Sequence, residues 1–446
     1  MRASIFGTDG IRSAAGAYPL DEPSLRALGA ILATRAALAA GLRKRPRILL
    51  GRDTRESGPE IARQLAAGIG QRVAVLDAGV LPTPGLSFLT RRLGCDLGVM
   101  ISASHNPFAD NGIKVFDHRG EKISSRLEGV ISRDFLAARR GGRGAAARPE
   151  AADSRPYADF LAREGRGLEN RPGRLAVDCA NGAASFLAPA LFQRLGIDAV
   201  VAHARPDGRN INAGCGSTEP RTLRGLVARS RAGLGLAFDG DADRVAFCDG
   251  AGRSLEGDHA LYLLARYLRD SEPRFRPLVV GTVMSNLGLE RALQRAGIGF
   301  LRADVGDKHV YRLMARRGAL LGGEPSGHVI LRHRQRTGDG LLTALYFLRA
   351  LDHLGWDAAE LQRRLPLYPQ RTLSLRIGRR RPLDSWPEFQ RLQRGFVARH
   401  GRRARLLARY SGTEPVIRIM IEARDTEIIE THLPAFRDLL AGELGG

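Results

Sequence analysis

Short apolar runs recur along the chain, and three of them open the same pattern. Residues 47–69 (RILLGRDTRESGPEIARQLAAGI), 174–197 (RLAVDCANGAASFLAPALFQRLGI) and 276–298 (RPLVVGTVMSNLGLERALQRAGI) each begin with an apolar strand. A loop bearing Gly, Asn or Ser follows, then an amphipathic helix, then Gly-Ile leading into another apolar stretch. The helices place apolar side chains at helical spacing, as in Ile61/Leu65, Leu187/Leu191/Leu195 and Leu289/Leu293. Repeated strand–helix starts of this kind predict three related α/β domains with mixed, largely parallel sheets.

Punctuation between the repeats sets the boundaries. Residues 139–156 (RRGGRGAAARPEAADSRP) have no apolar period and read as a linker. A second boundary falls near Gly250–Gly257, after an apolar strand over Val245–Cys248, and a third near Leu365–Gln370. Beyond it the pattern changes. Thr372–Ile377 alternates like a half-buried strand, Arg405–Ala408 and Val416–Ile421 flank a polar loop, and Asp425–Leu440 has a helical period. The expected domains are therefore 1–155, 156–253 and 254–368, all α/β, and a smaller α+β domain over 369–446.

Four polar loops interrupt this framework. After the apolar run Leu97–Ile101 the chain reads SASHNPFADNGIK, which sets Ser104, His105 and Asn106 at a strand's carboxyl end, where open α/β sheets place ligands. After Leu234–Phe238 it reads DGDADR. Asp239, Asp241 and Asp243 at alternate positions repel one another unless a cation sits among them, and hard oxygens suit Mg²⁺. An EF-hand is excluded, because its sixth position would be Arg244 and its twelfth Gly250. The third loop, GGEPSGH, offers Glu324 and Ser326 to sugar hydroxyls and His328 as a proton shuttle. The fourth, RYSGTEP, gathers Arg409, Ser411, Gly412 and Thr413, with Arg418 just beyond, into a phosphate cradle. Taken singly, every one of these loops could also be ordinary turn chemistry.

Composition narrows the class. The chain has 446 residues, 43% hydrophobic, enough for two to four domains with real cores. Its net charge of +22 could signal nucleic acid. However, Arg far outnumbers Lys throughout, and no zinc-finger or aromatic-interleaved basic motif is present, so nucleic acid is not the expected partner. The four cysteines (Cys95, Cys179, Cys215 and Cys248) are scattered and read as free thiols of a reducing compartment. The opening MRASIFGTDGIR lacks an apolar signal core and no run is long enough to span a bilayer, so a cytoplasmic protein without a membrane partner is expected.

In their order and spacing, SASHNP…NGIK, DGDADR, GEPSGH and YSGTEPVIR resemble the α-D-phosphohexomutase superfamily. FGTDGIR at 6–12, NINAGCGST at 210–218, GTVMSNLGLE at 281–290, Val305-Gly306-Asp307 and Thr337-Gly338-Asp339-Gly340 are similar to its bacterial phosphoglucosamine mutase branch. The resemblance covers essentially the whole chain. It implies a heart-shaped, four-domain molecule with a central cleft, acting on glucosamine phosphates for amino-sugar nucleotide synthesis. It implies a phosphoserine at Ser104 and a Mg²⁺ held by Asp239, Asp241, Asp243 and an oxygen of that phosphoserine. It further implies that His105 lies beside the phosphoserine, that Arg12, Lys114 and Arg244 surround the transferring phosphoryl group, and that Glu324, Ser326 and His328 form the sugar loop. By the same resemblance Arg409, Ser411, Gly412, Thr413 and Arg418 are expected to hold the distal phosphate. The implied reaction passes through a hexose 1,6-bisphosphate, which serves as intermediate and activator, and the implied partner is a small phosphosugar. A homodimer is left open. Asp307 is expected near the sugar's 2-ammonium, or else capping the helix that begins around Lys308. It also speaks against one rival, a phosphomannomutase/phosphoglucomutase of the same superfamily, in which a His is usual there. The other, a catalytically silent phosphosugar-binding paralogue, would be expected to have lost the serine or an aspartate, and Ser104, Asp239, Asp241 and Asp243 are all present. The chain departs from the pattern at Ser13, Glu219, Ala242 and Pro325. Of these, Pro325 bears most on substrate choice, and Ala242 is tolerable unless its φ is positive.

Overall fold

The computed structural model describes residues 4–7, 9–41, 45–138, 147–169, 171, 173–410 and 415–444. Four sheets carry the chain. The first has the order Ile11–Ala14, Asp110–Asp117, Leu97–Ile101, Arg47–Arg52, Ala74–Val80, Glu150–Ala151. The second runs Ser254–Leu255, Val245–Asp249, Leu234–Phe238, Leu175–Asp178, Ala199–Ala202, and the third Gly299–Ala303, Leu278–Thr282, Leu321–Gly323, Val329–Leu331. Each of these three sheets is parallel at its centre and turns antiparallel toward one edge. The fourth, Gln370–Arg376, Val416–Ala423, Ala404–Tyr410, is antiparallel throughout.

The expected repeat is present in the first three sheets. Each pairs an apolar strand (Arg47–Arg52, Leu175–Asp178, Leu278–Thr282) with a helix (Gly58–Ile69, Leu187–Arg194, Leu287–Arg295). Their buried stripes include Ile61, Leu65, Leu191, Leu289 and Leu293. The site loops occupy one shared topological position. Leu97–Ile101 turns into antiparallel Asp110–Asp117, Leu234–Phe238 into Val245–Asp249, and Leu321–Gly323 into Val329–Leu331. Each loop is thus the tip of a hairpin added to a parallel sheet.

The linker expectation needs one correction. Residues 139–146 lie outside the described residues, but Glu150–Ala151 is an edge strand of the first sheet, parallel to Leu76 and Asp77. Both side chains are exposed, so the pairing is made by backbone alone and leaves no hydrophobic pattern.

One apolar core runs through the first three domains. Leu49 and Phe88 of the first, Phe192 and Phe238 of the second, and Leu289 and Phe347 of the third belong to the same cluster. Phe88 stacks on Phe160 at 4.9 Å, and Tyr157 Oη donates to Asp339 Oδ2 at 3.0 Å. The fourth domain has its own core around Trp386, Phe389, Phe396, Ile419 and Phe436. A polar clasp joins it to the third. Buried Glu422 accepts from Leu287 N–H at 2.8 Å, Gln370 Nε2 at 2.7 Å and Arg405 Nε at 3.0 Å. Arg405 in turn donates to Val283 O and Ser285 O. No helix among the described residues is long and apolar enough to cross a membrane.

Candidate active site

Ser104 and the aspartate loop meet across two domains. Ser104 Oγ donates to Asp239 Oδ2 at 2.6 Å, and both residues are fully buried. The close approach depends on Gly240, where a Cβ would lie 2.5 Å from Ser104 O. Ser104 has φ +54, an uncommon conformation for a residue with a side chain. That conformation is held by a scaffold the motif reading missed. Ser102 Oγ accepts from Ser104 N–H at 2.9 Å and donates to Asp53 Oδ2 at 2.6 Å. Arg55, whose side chain is wholly inaccessible, places its guanidinium under the loop. Nε goes to Asp53, Nη1 to Pro107 O and Asp110 O, Nη2 to Ser104 O and Asn106 O. All five guanidinium N–H groups are used. The signal was an Asp-x-Arg at the carboxyl end of the buried strand Arg47–Arg52, within the first repeat.

The three aspartates offer carboxylate oxygens within 4.8 Å of one another, all buried. Asp241 Oδ2 accepts from Thr83 Oγ1 and from Lys114 Nζ at 2.8 Å, and Asp243 Oδ2 lies 3.2 Å from the same ammonium. Asp241 Oδ1 and Asp243 Oδ1 are buried without a hydrogen-bond donor. Burial, then the charges of Asp243 and Asp241, push the Asp239 carboxyl up to about 8. Burial works the same way on Asp243, but Lys114, His328 and Arg244 outweigh it and hold that carboxyl well below the usual range. Bare oxygens in a ring of crowded carboxylates fit a hard divalent cation. The other cluster of potential ligands among the described residues is Asp178, His203 and Cys215. There Asp178 already accepts from Ala180 N–H and Gly216 N–H, which organises the loop.

A cavity of about 440 Å³ opens beside this pair of loops, lined by Asp9, Arg12, His105, Lys122, Arg244, Asp307, Glu324 and His328 among others. Arg12 donates to Ala103 O and Asn106 Oδ1 and pairs with Asp9 at 2.9 Å. Arg244 Nη1 donates to His105 Nδ1 at 3.3 Å, which leaves the imidazole's proton on Nε2. Burial, then Arg244 and Arg12, lower the His105 pKa and keep the ring neutral. Lys114 is buried, but Asp241, Asp243 and Asp9 overcome the desolvation and keep it charged. His328 is buried as well. Gly338 N–H donates to its Nε2 at 3.0 Å, so Nδ1 carries the proton and faces Asp243 Oδ1 at 3.6 Å.

The remaining expected residues divide. Glu324 lines the cavity and accepts from Gly306 N–H at 2.9 Å. Ser326 is exposed and, with Pro325, lines a different cavity of about 260 Å³ beside Gly216 and Glu256. Both sit at the hairpin tip, turned away from Glu324 and His328, so the Pro325 departure falls outside the cavity that holds His105. Asp307 is not an N-cap. Gly306 takes that position, the helix runs Asp307–Arg317, and Asp307 Oδ2 forms an ion pair with Lys122. Lys122, which also bonds Asp9, is a further cavity residue that no motif marked. Arg409 and Arg418 are cross-strand partners in the fourth sheet. Ser411, Gly412 and Thr413 lie outside the described residues. Among the described residues, the cavity lining comes from the first three domains.

Comparison with known proteins follows the same division into domains. The models of the phosphoglucomutase/phosphomannomutase family match in chain order: alpha/beta/alpha domain I over 3–140, domain II over 155–252, domain III over 256–368 and the C-terminal domain over 376–439. A phosphoglucosamine mutase from Solibacter usitatus is 43% identical, with both chains covered in full. One from Thermus thermophilus is 45% identical over 94% of each chain. Among solved structures, a phosphoglucomutase/phosphomannomutase family protein from Burkholderia thailandensis aligns with a TM-score of 0.82 at 26% identity, covering 98% of this chain and 97% of its own.

Proposed function

The chain belongs to the phosphoglucomutase/phosphomannomutase family, and we propose that within it the protein is a phosphoglucosamine mutase, an isomerase interconverting glucosamine 6-phosphate and glucosamine 1-phosphate. The approach of Ser104 Oγ to Asp239 carries the reading, because it places a phosphorylatable hydroxyl on a three-carboxylate site. Identity of 43–45% to phosphoglucosamine mutases supports the amino-sugar substrate.

In this reading Ser104 carries the phosphoryl group in the resting enzyme. A hydroxyl of the bound sugar monophosphate attacks that phosphorus, the new O–P bond forms, and the bond to Ser104 Oγ breaks. The sugar hydroxyl gives up a proton and Ser104 Oγ regains one, leaving a 1,6-bisphosphate. After the intermediate turns over, the opposite phosphate returns to Ser104. Such transfers depend on positioning and charge neutralisation. Arg12, Lys114 and Arg244 supply fixed positive charge, and His105 offers an Nε2–H donor. Asp239, Asp241, Asp243 and a phosphoserine oxygen would hold Mg²⁺, which supplies Lewis-acid stabilisation of the transferring phosphoryl oxygens. Arg409, Arg418 and the intervening loop would hold the phosphate that is not reacting, and Glu324 with Asp307 would read the sugar.

A coupled assay comparing glucosamine, glucose and mannose phosphates tests the assignment. Glucosamine phosphate should give the highest kcat/KM, and Asp307→Asn should lower it for glucosamine more than for glucose. A preference for mannose or glucose phosphate would move the protein to another branch of its family.

A further inference from the structure

A second cavity, of about 490 Å³, lies behind the first and shares Lys122 and Asp307 with it. One wall is the segment Asp117–Ser124, the other the helix Asp307–Arg317 and Arg336. The catalytic reading makes no use of it. Its lining includes six basic side chains against three carboxylates, with apolar surface from Ile123, Leu127 and Ile330.

Half of these basic groups are already matched. Arg119 pairs with Asp117 and Glu121, Lys308 with Glu128, and Lys122 with Asp9 and Asp307. Three arginines are not. Among the described residues, Arg312 reaches only the Ser125 hydroxyl at 3.3 Å, Arg336 reaches only Tyr311 Oη at 3.5 Å through its guanidinium, and Arg316 has no carboxylate partner. Tyr311 Oη is itself committed to Glu121 at 2.7 Å. Arg91 stands close enough to Arg336 to feel its charge. Uncompensated guanidinium groups converging on a ligand-sized, partly apolar cavity are the arrangement that recognises phosphate esters.

We propose that this cavity is a second ligand site, taking a small organic polyphosphate, and that its occupation inhibits the mutase. Arg312, Arg316 and Arg336 receive the phosphates, and the apolar wall takes the organic part. Coupling runs through the shared wall. Lys122 is held between Asp9 and Asp307 in the catalytic cavity, and a polyanion on its other side competes for the same ammonium.

The test uses ADP as the probe on Mg²⁺-loaded enzyme, with binding read by calorimetry and inhibition by the sugar-phosphate assay. ADP should bind, and its inhibition should persist at saturating glucosamine phosphate. Arg312→Glu with Arg316→Glu should weaken ADP about tenfold or more while kcat/KM without ADP stays unchanged. Ala315→Trp, which fills the cavity from an exposed helix position, should do the same. The proposal is overturned if ADP does not bind at millimolar concentration, if sugar phosphate competes it away, or if both variants bind it like the parent. Binding by calorimetry stands apart from the choice of sugar, so failure here leaves the mutase assignment untouched.

Discussion

Ser104 and Asp239, 135 positions apart in the chain, meet at 2.6 Å between two separate sheets. Neither residue acquires its chemistry from its own loop alone. The serine needs an acceptor that only the second domain supplies, and the carboxylate needs the first domain to bury it.

Phosphate on the purified protein is expected at Ser104, and Ser104→Ala should abolish turnover. Ser102→Ala should retain the Ser104 phosphopeptide but lose stability, by about 1–3 kcal/mol, because Asp53 and Ser104 N–H lose their shared hydroxyl. Peptide mass spectrometry with a urea melt decides it, and phosphate mapped to Ser102 would reverse the assignment.

Arg55→Lys should be far more damaging than its conservatism suggests. A lysine keeps the charge but cannot reach Asp53 and four carbonyls at once. Each buried carbonyl left without its donor should cost about 1–3 kcal/mol. The loosened loop should lower kcat about a hundredfold. Parental activity in Arg55→Lys would show that the loop holds itself.

Asp241→Asn should raise the Mg²⁺ concentration for half-maximal activity about tenfold or more, since one of three converging carboxylates is removed. EDTA should silence the parent enzyme. Turnover that survives chelation would remove the metal from the scheme.

Asp258 gives a pH-dependent prediction remote from the cavity. It is fully buried, accepts from Asn286 N–H through Oδ2, and has no donor at Oδ1. Burial raises its pKa to about 7. The folded state therefore keeps a proton that the unfolded chain releases near pH 4. Stability falls as pH rises between those values, and the full penalty is present above about 7. Asp258→Asn should stabilise the protein little at pH 5 and clearly at pH 8, a difference of roughly 1–3 kcal/mol. Thermal melts at the two pH values check it, and an equal change at both would contradict the linkage.

Ala242 has φ +52, so the condition that made its methyl tolerable in sequence is not met. Its side chain is, however, fully buried in the shared core. Left-handed backbone costs about 1–2 kcal/mol. Against it stand the buried methyl, about 0.8 kcal/mol, and a stiffer unfolded chain, about 0.4–1 kcal/mol. Ala242→Gly should consequently change stability by less than about 1 kcal/mol. A large shift in denaturation midpoint would show that the balance is misjudged.

The framework was legible where a residue's role is written into its neighbours. Strand–helix repeats announced three sheets, and D-x-D-x-D announced a cation site, because periodicity and like charges are local properties. Arg55, Lys122 and Asp9 were given no role, since beyond any local partner the contacts that tie each into the site reach across 49 residues or more. Ser326 shows what adjacency leaves open. It is two residues from Glu324, yet the two line different cavities. Glu150–Ala151 escaped because a strand held by backbone alone has no side-chain signature.

The clasp at Glu422 sets the mechanical character of the last domain. If the third and fourth domains part there, Glu422 keeps Gln370 and Arg405, which travel with it, and gives up only Leu287 N–H. Arg405 surrenders two carbonyls. Water can replace each of these bonds at a net cost of about 0.5–1.5 kcal/mol, whereas prising open the hydrocarbon shared by the first three domains has no such substitute. The seam therefore behaves as a wet latch on a dry frame. Parting there would leave the packing between the serine's domain and that of the three carboxylates untouched.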